Sequence, residues 1–373
     1  MAAVTGALAS RRIAVCVGSG GVGKTTVAAA IALERALSGG RTLVCTIDPA
    51  RRLANALGLA ALGNVESAVP AERFAAAGLR PRGQLFAMML DVKRTWDDLV
   101  ARHAPSEAAR DRILGNRLYE QMSSVLAGSQ EYMAMEKLYE LATDRDYDLV
   151  VLDTPPTAHA LDFLEAPTRV LDFLENESAR RLLAPAIGAG RVSLRLAQMS
   201  GGYLAKVLAR FTGAQVLADL GQFLSSFHGM YEGFKRRAAA VRELLGRSEV
   251  GFVMVASPAE ASIEEALAFH RRLRGEGMPV AGMVANRVTP DLWGEAAPLP
   301  SPGEIAAALG AGDGELGGRL AEALAEHQAR ARADARALDR LFAAEPGLPR
   351  AVVPRLEEDV HDLRGLARMA ERI

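Results

Sequence analysis

Cysteine is scarce: the 373 residues hold two, Cys16 and Cys45, and neither belongs to a Cys-x-x-Cys pair. One chain therefore carries neither a disulfide framework nor the four ligands of a structural zinc, nor the clustered thiolates that a soft metalloid such as arsenite needs. Both cysteines fall in strand-like apolar runs, where a buried thiol acts as a small hydrophobe, and unpaired thiols fit a reducing cytoplasm. An excess of charge of one sign is missing as well. Lys and Arg number 44 against 45 Asp and Glu, a net charge of −1, so no basic bias points to nucleic acid. No apolar run approaches the ~20 residues of a membrane-spanning helix, so an integral membrane protein is not expected. Residues 1–10 have no charged segment followed by a long apolar core and are expected to be a flexible tail, not a secretory signal. No internal repeat appears at periods of ~20–50 residues.

What the chain does have is a phosphate-binding loop in the right setting. Residues 18–26 read Gly18-Ser19-Gly20-Gly21-Val22-Gly23-Lys24-Thr25-Thr26. A β-branched run (Ile13, Val15, Val17) leads in, and an alanine-rich helical stretch from Val27 to Leu37 leads out. Backbone N–H groups of Gly20, Gly21, Val22, Gly23 and Thr26 can curl around phosphate oxygens. Lys24 reaches the β/γ-phosphates, and the Thr25 hydroxyl is placed to ligate Mg²⁺. The positive end of the following helix adds to the attraction. A glycine-rich turn could match by chance, but the strand–loop–helix setting argues for nucleoside triphosphate.

Two later segments extend the site. The run Leu43 to Ile47 ends in Asp48-Pro49-Ala50-Arg51-Arg52-Leu53, and Leu149-Val150-Val151-Leu152 ends in Asp153-Thr154-Pro155-Pro156-Thr157-Ala158-His159. Carboxylates at the carboxyl ends of parallel strands face the crevice where ligands of open α/β sheets sit. One can hold the Mg²⁺ hydration shell and the other can orient the attacking water. Each aspartate, taken singly, also fits a helix N-cap; their joint placement with the loop favours chemistry.

Strand-like runs at about 12–18, 42–47, 84–90, 148–153, 250–256, 279–286 and 350–354 alternate with helical patterns. The expected fold is α/β: a doubly wound, mostly parallel P-loop sheet with an inserted helical subdomain. The boundaries read as a P-loop core over 11–91, 144–167 and 247–373, with the helical subdomain at 92–143 and 168–246. Pro/Gly-rich breaks fall at about 60–83 and 288–318, the second read as a mobile surface loop. Within the helical part, Leu204, Val207, Leu208 and Phe211 share one face, as do Leu217, Leu220, Leu224 and Phe227. With Met88, Met89, Met122, Met133, Met135, Met199 and Met230 nearby, this is either subdomain core or an adaptable apolar surface for a protein or lipid-linked client.

With these motifs in hand, the chain resembles the ArsA-type anion-transporting ATPases and their relatives, the targeting factors for tail-anchored membrane proteins. The family patterns GKGGVGKTT, DPAH and DTAPTGH stand here as GSGGVGKTT, DPARRLANALG and DTPPTAHALDFL. A helix reading Gly128-Ser129-Gln130-Glu131-Tyr132-Met133-Ala134-Met135-Glu136, the segment Ala285-Asn286-Arg287 and the segment Val353-Pro354-Arg355-Leu356 also look familiar, so the resemblance spans roughly residues 10–365. It implies that Asp48 orients the hydrolytic water and that Asp153 is the second-switch aspartate near Mg²⁺. It further implies that Asn286 bonds adenine and that Pro354-Arg355-Leu356 flank base and ribose, making the nucleotide ATP. Asn286-Arg287 also reads as an ordinary strand-end turn. By the same resemblance His159 is a structural reporter of nucleotide state, not a proton carrier.

The chain departs from the pattern at Ser19, where the family carries a signature lysine that reaches the nucleotide of a facing subunit. One phosphate loop is present, and no second copy follows residue 150, so a facing half has to come in trans. The resemblance thus implies a cytoplasmic dimerising ATPase, as a homodimer or with a lysine-bearing paralogue. The alternative is a low-turnover nucleotide-binding regulatory subunit of such a hetero-oligomer. A small-metabolite kinase would share the loop but not the two aspartate segments.

Overall fold

The computed structural model of the chain describes residues 4–47, 52–116, 119–120, 129–154, 233, 235–294, 298–309 and 314–373. Strands β1 (Ile13–Val17), β2 (Arg41–Thr46), β3 (Ser67–Ala68), β4 (Gln84–Met89), β5 (Leu149–Asp153), β6 (Val250–Ala256), β7 (Val280–Val288) and β8 (Arg350–Pro354) form one sheet. Their order is β3-β4-β2-β5-β1-β6-β7-β8. All neighbours pair in parallel except β3 with β4. Every expected strand run forms a strand. The short β3 was not foreseen, since a two-residue pair carries no periodicity and lies inside the break at 60–83.

Among the helices flanking the sheet are α1 (Val4–Ala7), α2 (Lys24–Leu37), α3 (Arg52–Ala56), α4 (Ala71–Ala76), α5 (Val92–His103), α6 (Glu107–Leu114), α7 (Ser129–Asp144), α8 (Glu260–Gly275), α9 (Pro302–Ala308), α10 (Gly314–Ala343) and α11 (Leu363–Ala370). The central strands β1, β5 and β6 are buried along their whole length, which is why they read as unbroken apolar runs. Alternation sends Ala14, Cys16, Val44, Val151 and Val253 into one layer with α2 and α11. Ile13, Val15, Leu43, Cys45, Leu152 and Phe252 enter the other layer, with α5, α7 and α8. Helix α2 meets the sheet through Ala28, Ala29, Ala30, Ala32 and Ala36, all buried; side chains this small bring its backbone close.

Two expectations change. The stretch 1–10 was expected to be a flexible tail, but α1 buries Val4, Leu8 follows it into the core, and the Val4 N–H donates to the Ile373 carbonyl at 2.6 Å. Alternating apolar residues over so short a stretch gave no periodicity to read. The break at 288–318 contains α9, started by a reciprocal capping box between Ser301 and Glu304 and packed on α10. Helices α5, α6 and α7, which fall in or at the edge of the expected inserted helical subdomain, place Trp96, Leu99, Ile113, Tyr132 and Met135 in the same core cluster as the sheet. Lys137 and Arg102 both pair with the buried Glu140, at 3.1 and 3.2 Å, and tie α5 to α7.

Met88, Met133 and Met135 are fully buried core residues. The Leu204–Phe234 faces, Met122, Met199 and Met230 lie outside the described residues, as does most of 168–246.

Candidate functional site

The chain leaves β1 for β2, two places to one side, later fills the gap with β5, and then places β6 on the opposite flank of β1. The winding reverses at β1, and a crevice opens beyond the carboxyl ends of its neighbours. The loop 18–23 emerges there. Its glycines answer two steric demands. A Cβ on Gly18 would lie 2.0 Å from the Val255 carbonyl oxygen, and one on Gly23 would lie 2.4 Å from Asn286 Nδ2. Gly23, in the left-handed region at φ 93°, caps α2, a conformation open to glycine at little cost.

Lys24, Thr25 and Thr26 open α2. Lys24 is buried, and its Nζ donates to the carbonyls of Gly18 and Ser19, both at 2.9 Å. Gly20 and Gly21 are exposed at the loop's tip, while Val22 anchors it in the core. Thr25 Oγ1 donates to Asp153 Oδ2 at 2.6 Å, and Thr46 Oγ1 donates to the same oxygen at 2.8 Å. Strand register explains the meeting: Cys16 and Thr46 both lie opposite Asp153. Thr154 continues the row, its hydroxyl donating to the Cys16 carbonyl at 2.8 Å. Thr46 was missed by sequence reasoning; its place as the last residue of a strand next to Asp153 was the available signal. Asp48 and Pro155 to His159 lie outside the described residues.

The cysteines take no part. Burial pushes the Cys45 thiol up to about 12, and burial together with the Asp153 carboxylate pushes Cys16 up as well, against the pull of Lys24. The two thiols face opposite sides of the sheet, so together they make no thiolate pair. Among the described residues no group of three or more His, Cys, Asp or Glu could hold a metal ion.

On the other flank, β7 bulges. Ala285 pairs with Val352 and Val288 with Pro354, so Asn286 and Arg287 together face one residue of β8. Asn286 is buried; its Nδ2 donates to the Val22 carbonyl at 2.8 Å, and its Oδ1 accepts the Arg287 N–H at 2.9 Å. Arg287, at φ 62°, is the only non-glycine in the left-handed region among the described residues, a conformation costing about 1–2 kcal/mol. Its Nη1 donates to the Gly21 carbonyl at 2.7 Å. Two hydrogen bonds at about 1 kcal/mol each are of the size needed to offset that cost. Pro354 and Arg355 sit beside the bulge, the Arg355 N–H donating to Val288 at 2.8 Å. Ser19 is drawn to the same side: its Oγ donates to Ser262 Oγ at 3.0 Å, which also accepts the Ser257 N–H.

Known proteins share this arrangement of sequence. The family profile of anion-transporting ATPases (ArsA ATPase) matches residues 11–298. The chain belongs to the anion-transporting ATPase family. An uncharacterised protein of Streptomyces coelicolor is 31% identical over 281 residues, 74% of this chain and 62% of its own length. ATPase GET3B of Arabidopsis thaliana is 25% identical over 291 residues, covering 73% of this chain and 63% of that protein. ATPase ARSA2 of Chlamydomonas reinhardtii is 29% identical over 254 residues, 66% of this chain and 60% of that one. The chain thus spans less than two thirds of each of these relatives. Family membership agrees with the eight-stranded P-loop sheet. Among the described residues no helix is long and apolar enough to cross a membrane.

Proposed function

We propose that the chain binds ATP at the 18–26 loop and hydrolyses it, using the two switch segments to couple nucleotide state to the helical region. The observation that carries this is the convergence of Thr25 and Thr46 on Asp153 beside a buried Lys24 at the head of α2. Lys24 would exchange its two loop carbonyls for the β/γ-phosphate oxygens, while the loop amides hold the same phosphates. Thr25 and Asp153 offer hard oxygens 2.6 Å apart, a donor set that suits Mg²⁺, which takes few protein ligands alongside substrate phosphates. The bound ion would offset charge on the transferring phosphoryl group. Asp48, two residues beyond Thr46, would orient the attacking water. Asn286, Pro354 and Arg355 stand together at the flank where the base and ribose would lie. Asn286 keeps one amide hydrogen beyond the one it gives to Val22.

A second reading is a low-turnover nucleotide-binding subunit, and the Ser19–Ser262 hydrogen bond favours it. An uncharged side chain tied to its own chain cannot reach a facing nucleotide. A lysine-bearing paralogue in a heterodimer would then supply that cation, and a homodimer would lack it on both sides. By family likeness the reading extends to an apolar protein or lipid-linked client and a cytoplasmic setting.

Calorimetry with a non-hydrolysable ATP analogue tests the site. The parent chain should bind it, and Lys24→Ala should abolish binding because the charge facing the β/γ-phosphates is gone. Undiminished affinity in the variant would sink the phosphate-loop assignment. Turnover measured with and without a paralogue separates the two readings.

A further inference from the structure

We infer that Arg287 is a second phosphate-binding cation of this site, held ready on the loop by the bulge in β7. The inference rests on the ATP-site reading above and adds a ligand-contacting residue to it. In a regular strand, neighbouring side chains point to opposite faces, so Asn286 and Arg287 could not both reach the loop. The extra residue opposite β8 removes that alternation, and bulges beside active sites re-aim side chains in this way. Asn286 meets Val22 and Arg287 meets Gly21. The left-handed backbone at Arg287 is retained although it is unfavourable for a side chain bearing a Cβ, and such outliers gather at ligand clamps.

The two cations of the loop are held alike. Lys24 rests on the carbonyls of Gly18 and Ser19, and Arg287 rests on the carbonyl of Gly21. A carbonyl gives way to a phosphate oxygen because the charge–charge attraction is larger. Arg287 is exposed, and its guanidinium carries five donors in a planar fork, of which the Gly21 bond uses one. The fork suits phosphate oxygens bidentately. Ser19 adds no charge to this loop, and Arg287 adds one beside Lys24.

The test compares the parent chain with Arg287→Gln and Arg287→Lys by calorimetry, using a non-hydrolysable ATP analogue at low and at high salt. Arg287→Gln should bind about tenfold or more weakly, and its affinity should fall less steeply with salt, because one phosphate contact is gone. Arg287→Lys should recover part of the affinity and the full salt dependence. Equal affinity in Arg287→Gln, or weaker affinity with the parent's salt dependence, overturns the inference; the latter would make Arg287 a loop-positioning residue. Unchanged melting temperatures exclude misfolding as the cause. Failure of the parent chain to bind the analogue would instead overturn the ATP-site reading on which this one stands.

Discussion

The two flanks of the phosphate loop are built by different means. On the β5/β2 side, ordinary parallel register sets Thr46 opposite Asp153, and Thr25 at the head of α2 meets the same carboxylate oxygen, with no irregularity in the pairing of β5 with β1 or β2. On the β6/β7 side, the loop is held by an irregularity: a bulge, a left-handed arginine and two hydroxyls that meet from separate elements. The first flank presents hard oxygens where a metal ion and the reacting phosphate would lie. The second presents amide and guanidinium groups that hold loop carbonyls, and a hydroxyl that holds the Ser19 side chain. A buried carboxylate row is rigid and suits chemistry that depends on position. An exposed fork of donors suits affinity, which tolerates adjustment.

This contrast makes a division of labour testable. The largest effect should come from Asp48→Asn, which is expected to spare analogue binding but lower turnover by on the order of a hundredfold, as for loss of a water-orienting group. Steady-state phosphate release checks this, and normal turnover would reduce Asp48 to a helix cap. A smaller loss is expected for Thr46→Val. It removes one hydrogen bond to the Asp153 carboxylate while keeping shape, and should cost about tenfold in turnover with little change in ATP affinity. Thr46→Ser should restore it. Arg287→Gln should show the opposite split, with weaker binding and near-normal turnover once saturated. If Thr46→Val altered binding and Arg287→Gln altered saturated turnover, the proposed division between flanks would fail.

The smallest effect concerns the buried thiols. Cys45 ordinarily loses its proton at 9.0 but holds it to about 12 in the fold. A folded-state value above the unfolded one means that this stability is fully present below pH 9.0 and is lost as pH rises from there toward 12. Native-state alkylation followed by mass measurement should therefore leave Cys45 unmodified at about pH 9. Rapid labelling without unfolding would show that the core layer under β2 opens.

Local sequence was enough to read the loop and the strand ends of the β5/β2 flank. Gly18 to Thr26 is contiguous, and its chemistry follows from the types and spacing of its residues. The strands around it are long apolar runs that could only be buried between helices. The acidic residue ending each run stood out because a charge at the end of such a run has few structural uses. Thr46 was harder to see, since a threonine at a strand end is unremarkable until register sets it opposite Asp153.

The sequence by itself determined the sheet, the glycine-rich loop between β1 and α2 and the place of Lys24, Thr25 and Asp153 at the ends of those elements, because each depends on near neighbours in the chain and on burial of apolar runs. Tertiary structure alone decided which distant groups meet them. Asn286 and Arg287 reach Gly21 and Val22 only because β7 gains one residue against β8. A one-residue bulge leaves no mark on hydrophobic periodicity. Ser19 finds Ser262 only because β6 lies beside β1. The two cysteines, so close in the pattern of their strands, end on opposite faces of the sheet, since each strand's offset in the sheet, and not its composition, sets which side a given residue takes.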